Sequence, residues 1–291
     1  DPDLETLSES IKILQGGGRV VRLKDREGYE KFFNEFGAAF KEGIYEDFDR
    51  KKSLLDISLF KSTNDEKYTS LNEYISRMKE DQNDIYYISG ENIEQVIESP
   101  QIEGFKSRGL EVLFMIDPVD EFWLPSFNEY EGKGFKSITK GNADLSKFDP
   151  KDDKETKKKK PANKKEIETL ISEMKSHLGE KVKDIKSSQM LTDSPVCLTA
   201  DEAEMDIHLE RLMRQHKRLD KESKKILEIN PSHDLIKSFA KIVSKSSDKS
   251  VVNDVSHLLL DQARIVEGEL PLDTKDFTEK LSSIITRSLS T

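Results

Sequence analysis

The amino-acid sequence predicts a mixed fold, α/β in its first half and α+β in its second, and three observations support this. Two short apolar runs, Ile85–Ser89 and Leu110–Ile116, bracket one helical interval, which is the pattern of two parallel strands in a βαβ unit. Beyond a charged, proline-containing segment, short apolar runs again alternate with helical patterns. The chain then closes with two long amphipathic helices, residues 250–266 and 274–289, which predict a terminal helical hairpin.

The first predicted element is a helical coil over residues 24–62. Five aromatic residues recur there at spacings of three and four: Tyr29, Phe32, Phe33, Phe36 and Phe40. An aromatic stripe at this spacing is typical of a helix that faces a core. In the preceding residues, the triplet Gly16-Gly17-Gly18 is not followed by Gly-Lys-Ser/Thr, so it predicts a connection rather than a phosphate-binding loop.

A small three-layer α/β lobe follows over residues 63–143. The βαβ unit lies inside it, and a single glycine, Gly90, follows the first strand, so the dinucleotide fingerprint G-x-G-x-x-G is absent. The continuous apolar run Leu110–Ile116 predicts a strand covered on both faces. After it, Asp117 is placed as the N-cap of a helix and Pro118 at its first position. A third strand is predicted at Phe135–Thr139.

A linker is predicted over residues 144–165, where Pro150, Pro161 and four consecutive lysines interrupt the apolar pattern. The predicted domains are therefore residues 1–143 and 166–291. The second contains strands near 182–188, 195–199 and 225–229, and helices at 167–178, 203–218 and 234–243 before the terminal pair.

Composition excludes several functional classes. The formal net charge of −10 and the pI near 5.3 argue against nucleic acid as a partner. No apolar run approaches the length of a membrane span, and one cysteine, Cys197, excludes an internal disulfide framework and fits the cytoplasm. Cys197 lies in a strand pattern typical of a buried, inert thiol, and the five histidines show no metal-ligand spacing, so no catalytic or metal-binding residue is predicted.

Several segments resemble the heat shock protein 90 family of molecular chaperones. They are Asp-Ile-Tyr-Tyr-Ile-Ser-Gly-Glu at residues 84–91, Glu-Val-Leu-Phe-Met-Ile-Asp-Pro-Val-Asp-Glu at 111–121, Leu-Glu-Arg-Leu-Met-Arg-Gln at 209–215 and Lys-Ile-Leu-Glu-Ile-Asn-Pro at 225–231. The resemblance implies that residues 1–143 are the end of the family's middle domain and 166–291 its C-terminal dimerisation domain. The ending Ser288–Thr291 lacks the acidic tail of eukaryotic cytosolic members, which fits a bacterial-type member.

The resemblance also implies an ATP-dependent chaperone that binds unfolded clients and works with possible co-chaperones. In the family, ATP and Mg bind an N-terminal domain that this sequence does not match, and the arginine that reaches the phosphate lies upstream of the matched residues. We therefore expect no catalytic residue, no cofactor and no ATP hydrolysis in this chain.

Two client-binding segments are expected. Residues Glu121, Phe122 and Trp123 match the acidic-aromatic pair of the family's client-binding patch, and either aromatic residue is a candidate for the contact. The second segment is the predicted helix with the apolar stripe Met205, Leu209, Leu212 and Met213. From the pattern alone, such a helix packs on its own sheet. The resemblance implies instead a flexible amphipathic helix that contacts clients.

The terminal helices are the third candidate surface. Their apolar faces contain Val251, Val255, Leu258 and Leu259 on the first helix, and Phe277, Leu281, Ile284, Ile285 and Leu289 on the second. The pair could cap its own domain, whereas the resemblance implies a homodimer through a four-helix bundle. The competing hypothesis for the whole chain is a nucleotide-dependent α/β transferase with a helical dimerisation domain.

Overall fold

The computed structural model describes residues 26–47, 49–127, 129–141, 143–148, 161–245 and 249–290. Within them the chain forms two compact units. One contains the described residues up to Val96 together with Leu110–Ser137, and the other contains Ile97–Gly109 and the residues from Ile138 onward. The predicted first domain is continuous over residues 1–143, so the compact units differ from it by the segment 97–109 and by the residues after 137.

The first unit begins with helix α1, Arg26–Glu46, and helix α2, Lys51–Ile57. Strands β1 (Leu59–Ser62) and β2 (Tyr68–Ser70) form a hairpin, and helix α3 (Leu71–Arg77) starts from a capping box between Ser70 and Glu73. The later elements, in chain order, are β3 (Asp84–Ser89), α4 (Ile93–Ile97), α5 (Glu103–Ser107), β4 (Leu113–Met115), α6 (Asp120–Trp123), β5 (Glu129–Tyr130) and β6 (Lys133–Ser137). Of these, α5 and the last residue of α4 belong to the second unit.

The strands of the first unit form one sheet in the order β2-β1-β4-β3-β6-β5. Strand β3 is parallel to both β4 and β6, with Tyr87 opposite Leu113, and the other pairs are antiparallel. This confirms the parallel pair that the two apolar runs predict. The core contains apolar residues from the sheet and from α1, α2 and α3, together with Trp123.

The second unit continues with α7 (Lys164–Leu178), β7 (Asp184–Ser187), β8 (Val196–Thr199), α8 (Ile207–Gln215) and β9 (Ile226–Ile229). Helices α9 (Asp234–Lys245), α10 (Lys249–Val266) and α11 (Thr274–Leu289) complete it. Its sheet has the order β7-β9-β8, with β7 parallel and β8 antiparallel to β9. Helices α7, α9 and α10 supply buried side chains to its core, to which α11 contributes none.

Two sequence-based assignments are wrong at their boundaries. Asp117 is not a helix N-cap, because α6 begins at Asp120 after Val119, and the carboxylate of Asp117 binds Lys41 instead. The helix predicted over 203–218 is shorter, because Asp206 caps its N-terminus by accepting a hydrogen bond from the backbone N–H of His208. Met205 therefore precedes the helix rather than belonging to its stripe. Most of the predicted linker, residues 149–160, lies outside the described residues.

Candidate functional surfaces

The first candidate surface is built on a buried ammonium group. Lys41, near the end of α1, has almost no exposed side chain, and its Nζ donates to Asp117 Oδ2 at 2.7 Å and to Asp120 Oδ2 at 2.9 Å. Nζ also lies 4.6 Å from the centre of the Phe60 ring. Burial alone would lower the pKa of Lys41, but the two carboxylates outweigh it and the pKa is raised. Lys41 is therefore a charged link between α1 and the start of α6.

Asp120, which belongs to this link, also accounts for the different exposure of the two adjacent aromatic residues Phe122 and Trp123. Trp123 is 0% exposed; its Nε1 donates to Asp120 Oδ1 at 2.8 Å, and its ring lies among Phe60, Phe127 and Phe135. Phe122, one residue earlier, is 36% exposed and lies beside Tyr45. Glu121 is buried. Of the predicted segment Glu121–Trp123, the structure exposes Phe122, whereas Trp123 is a core residue.

The second candidate surface is helix α8, whose inner side contains a buried ion pair. Glu210 faces inward: its buried carboxylate binds the buried ammonium of Lys225 and accepts a hydrogen bond from the backbone N–H of Ser223 at 2.6 Å. Ile207 and His208 are buried beside it. Breaking such a pair leaves an uncompensated buried charge, which costs about 3–5 kcal/mol. Charge pairing thus orients the helix.

The exposure of the other residues of α8 follows from this orientation. Nη1 of Arg211 donates to the backbone carbonyl of Glu267 at the end of α10. Leu209, Leu212 and Met213 are half-buried, and Met205 before the helix is exposed. The stripe expected to contact clients therefore retains solvent access along its length. Lys225 was missed from the sequence, since a partner fifteen residues away gives no local spacing signal.

Glu267, directly after α10, has a titratable carboxyl group, and its backbone carbonyl accepts the hydrogen bond from Arg211 of α8. Its Oε1 accepts a hydrogen bond from Gln101 Nε2 at 2.5 Å, and Arg211, Asp206 and Glu269 are the charged groups that face it. Desolvation raises the pKa of Glu267 to about 7, against the opposing effects of Gln101 and Arg211. The charge on this carboxyl group therefore changes near neutral pH.

The third candidate surface is the apolar face of the terminal helices. None of the residues of α11 is buried in the described part of the chain; Leu281 and Ile285 are exposed, Leu289 is 82% exposed, and Phe277 and Ile284 are half-buried. On α10, Val251, Val255 and Leu258 are half-buried, whereas Leu259 belongs to the core of its own unit. The face that the described residues leave open is thus mainly on α11.

Cys197 is buried, as the sequence predicts, and burial raises the pKa of its thiol well above the ordinary value. Within the described ranges, no three His, Cys, Asp or Glu side chains are placed to hold a metal ion. No helix in the same ranges is long and apolar enough to cross a membrane.

Comparison with known proteins decides the family. The family model "Hsp90 protein" matches residues 16–291. The chain belongs to the Hsp90 family. It is similar to the chaperone protein HtpG of Paramagnetospirillum magneticum, with 45% identity over 269 residues, covering 92% of this chain and 43% of that protein. The HtpG proteins of Wolbachia pipientis (44%, covering 89% of this chain and 41% of the relative) and Roseobacter denitrificans (41%, covering 99% and 47%) are also similar.

The chain spans less than half the length of these Hsp90-family relatives. All three are bacterial, which agrees with the bacterial-type member expected from the sequence. The competing transferase hypothesis gains no support from them.

Replacing Glu210 with Gln should loosen α8 selectively. The change leaves the Lys225 ammonium buried without a counter-charge, so we expect a loss of about 3 kcal/mol in the free energy of unfolding. Hydrogen exchange should accelerate over residues 203–217 more than over 234–243. Glu204→Gln is the control, because its contact with Lys183 is a 3.9 Å surface pair worth less than about 1 kcal/mol. Unchanged protection of 203–217 in Glu210→Gln would contradict the anchoring role.

The raised pKa of Glu267 predicts a pH-dependent stability. Between the ordinary pKa of 4.5 and about 7, the folded protein keeps a proton that the unfolded chain has released. Raising the pH across this window therefore lowers the free energy of unfolding, by about 3 kcal/mol in all. Glu267→Gln should remove this component in urea titrations at pH 5, 6 and 7. Parallel curves for parent and variant would contradict it.

His257 provides a contrast of opposite sign. Burial, with Lys181 and Lys280 nearby, lowers the pKa of His257 from 6.5 to about 4, so its contribution to stability is lost as the pH falls through that range. Because His257 is present in both parent and variant, the difference between their titrations isolates Glu267.

Proposed function

We propose that this chain supplies the client-binding and dimerisation part of an ATP-dependent molecular chaperone that binds partly folded proteins and assists their folding in the cytoplasm. Family membership supports the chaperone class. The observation that carries the role of this chain is the orientation of α8, which buries Glu210 and leaves apolar side chains accessible. A helix that only served its own core would bury the apolar side, since that side gains most from leaving water.

Client binding is proposed for Phe122 on the first unit and for Met205, Leu209, Leu212 and Met213 on the second. Methionine suits this role, because its flexible, polarisable side chain packs against differently shaped partners. We assign no nucleotide site to the chain itself. In full-length members of the family, ATP and Mg would drive the cycle, and co-chaperones are possible further partners.

Homodimerisation is proposed for the terminal helices. Helix α11 has sixteen residues and an apolar face along its length. None of these sixteen residues is buried by the part of the chain that the structure describes. Each Leu or Ile side chain transferred from water into an interface contributes about 1.5–3 kcal/mol. An isologous contact between two copies would bury this face on both.

Client binding is tested by the double variant Met205→Ser, Met213→Ser. Losing two apolar contacts should weaken binding by about 1 kcal/mol, so about fivefold more chaperone is needed to suppress aggregation of a chemically denatured model client. The matched control is Leu235→Ser, Ile242→Ser, which removes two exposed apolar side chains from α9. Equal activity of parent and Met variant, or an equal loss in the α9 control, would contradict this assignment.

Dimerisation is tested by Leu281→Asp and Ile285→Asp. Each places an unpaired charge in the proposed seam, which costs several kcal/mol and favours monomers. Light scattering at about 20 µM chain should give twice the 33.4 kDa chain mass for the parent and the single-chain mass for the variants. Thr286→Asp, on the opposite side of α11, should remain dimeric. A monomeric parent at this concentration would mean that the hairpin does not form the interface.

A further inference from the structure

An exposed aromatic pair in the first unit extends the Phe122 surface to a residue that the sequence did not single out. The rings of Tyr45 and Phe122 have centroids 6.1 Å apart and are tilted by 60°, so neither ring covers the face of the other. Tyr45 is 59% exposed and Phe122 is 36% exposed. Two large apolar rings thus lie side by side in water, where each could bury more surface against a partner.

The two rings lie on helices α1 and α6, which a buried ion pair connects. Tyr45 lies one helical turn after Lys41 on α1, and Phe122 lies two residues after Asp120 on α6, so the Lys41–Asp120 ion pair joins the two elements that carry the rings. The backbone N–H of Phe122 donates to the carbonyl of Val119 at 3.0 Å, and Trp123 beside it is fully buried. A partner would therefore meet rings whose supporting backbone is already ordered, which lowers the entropy cost of binding.

The exposed charged residues nearest to Tyr45 along α1 are negative. Glu42 and Glu46 flank Tyr45 on α1 and are exposed, and neither forms an ion pair with another residue in the described ranges. Where α1 meets the start of α6, two carboxylates, Asp117 and Asp120, share the single ammonium of Lys41. Carboxylates at the rim of an apolar contact attract cationic partners, and an arginine or lysine side chain can also stack on the face of a tyrosine ring.

We propose that Tyr45 and Phe122 together form a docking site for an extended polypeptide segment that carries an apolar side chain flanked by Lys or Arg. The apolar side chain packs between the rings, and the cations meet Glu42 and Glu46. The proposal rests on the proposed client-binding function and specifies both a further contact residue, Tyr45, and the charge preference of this surface.

The test uses two fluorescently labelled, unstructured peptides with the same Leu and Phe residues, one flanked by Lys and Arg and the other by Asp and Glu. Binding to the full chain is measured by anisotropy. We expect the basic peptide to bind at least tenfold more tightly than the acidic one, with a preference that shrinks at high salt because these charges are exposed. Tyr45→Ser should weaken binding of the basic peptide about fivefold. The double change Glu42→Gln, Glu46→Gln should remove most of the preference.

Phe36→Ser is the matched control, since Phe36 is an aromatic residue on α1 that is 47% exposed and lies nine positions before Tyr45. It should bind both peptides as the parent does. Emission from Trp123, the single tryptophan, should be unchanged in all variants, which shows that the fold around the pair is intact.

The outcomes separate this proposal from the function on which it rests. If Phe122→Ser weakens binding but Tyr45→Ser does not, or if the acidic peptide binds as well as the basic one, the docking site is wrong and the client-binding function stands. If neither Phe122→Ser nor the Met205, Met213 variant changes peptide binding or suppression of aggregation, the proposed client-binding function itself fails.

Discussion

Two buried lysine ammonium groups determine what this chain presents to solvent. Lys225 binds Glu210 and so anchors α8. Lys41 binds Asp117 and Asp120 and so anchors α6 to α1. A buried ion pair contributes little net stability compared with apolar packing, but it is highly selective, because removing either partner strands a charge in a medium of low polarity. It fixes which side of an element faces inward. In both places some apolar side chains nearby remain accessible: Leu212 and Met213 on α8, and Phe122 on α6.

This arrangement reconciles two requirements that normally conflict. A surface that binds unfolded polypeptides needs exposed apolar residues, yet exposed apolar residues are those that a folding chain tends to bury. Helix α8 has nine residues, too few for stability on its own, so it depends on anchoring by its neighbours. Because buried charges provide that anchoring, Leu212 and Met213 keep solvent access. The arrangement at α6 is similar, because Trp123 is buried whereas the ring of Phe122 is exposed to solvent.

Local patterns predicted most of the fold. The apolar runs gave the strands of the parallel pair, and period-3.6 spacing gave helices α1, α7, α9, α10 and α11, because these signals depend on residues close in sequence. The surfaces depend on residues far apart. Glu210 and Lys225 are separated by fifteen positions, and Lys41 lies 76 and 79 positions from Asp117 and Asp120, so no spacing rule connects them. A charged residue on an isolated helix predicts solvent exposure, so the burial of Glu210 could not be predicted from the pattern of α8 alone.

The same reasoning explains the choice between adjacent aromatic residues. A sequence pattern does not distinguish Phe122 from Trp123, since both are apolar. Their burial differs because Asp120 accepts the hydrogen bond from the indole N–H and holds Trp123 in the core. Asp117 gave a misleading N-cap signal for a related reason: its carboxylate is occupied by Lys41. Tertiary pairing of charge, rather than local propensity, is what the sequence left undetermined.

The six methionines provide the most direct measurement, because the structure places them on both sides of the proposed division. Met115, Met174 and Met190 are buried and Met78 packs against the core of the first unit, whereas Met205, just before α8, is exposed and Met213 on α8 is half-buried. Methyl NMR spectra of ¹³C-methionine-labelled protein, recorded with and without an unfolded client, report each site separately. We expect the Met205 and Met213 signals to shift or broaden while those of Met115, Met174 and Met190 stay in place. Perturbation of the buried methionines with Met205 and Met213 unchanged would contradict the placement of the client-binding surface on α8.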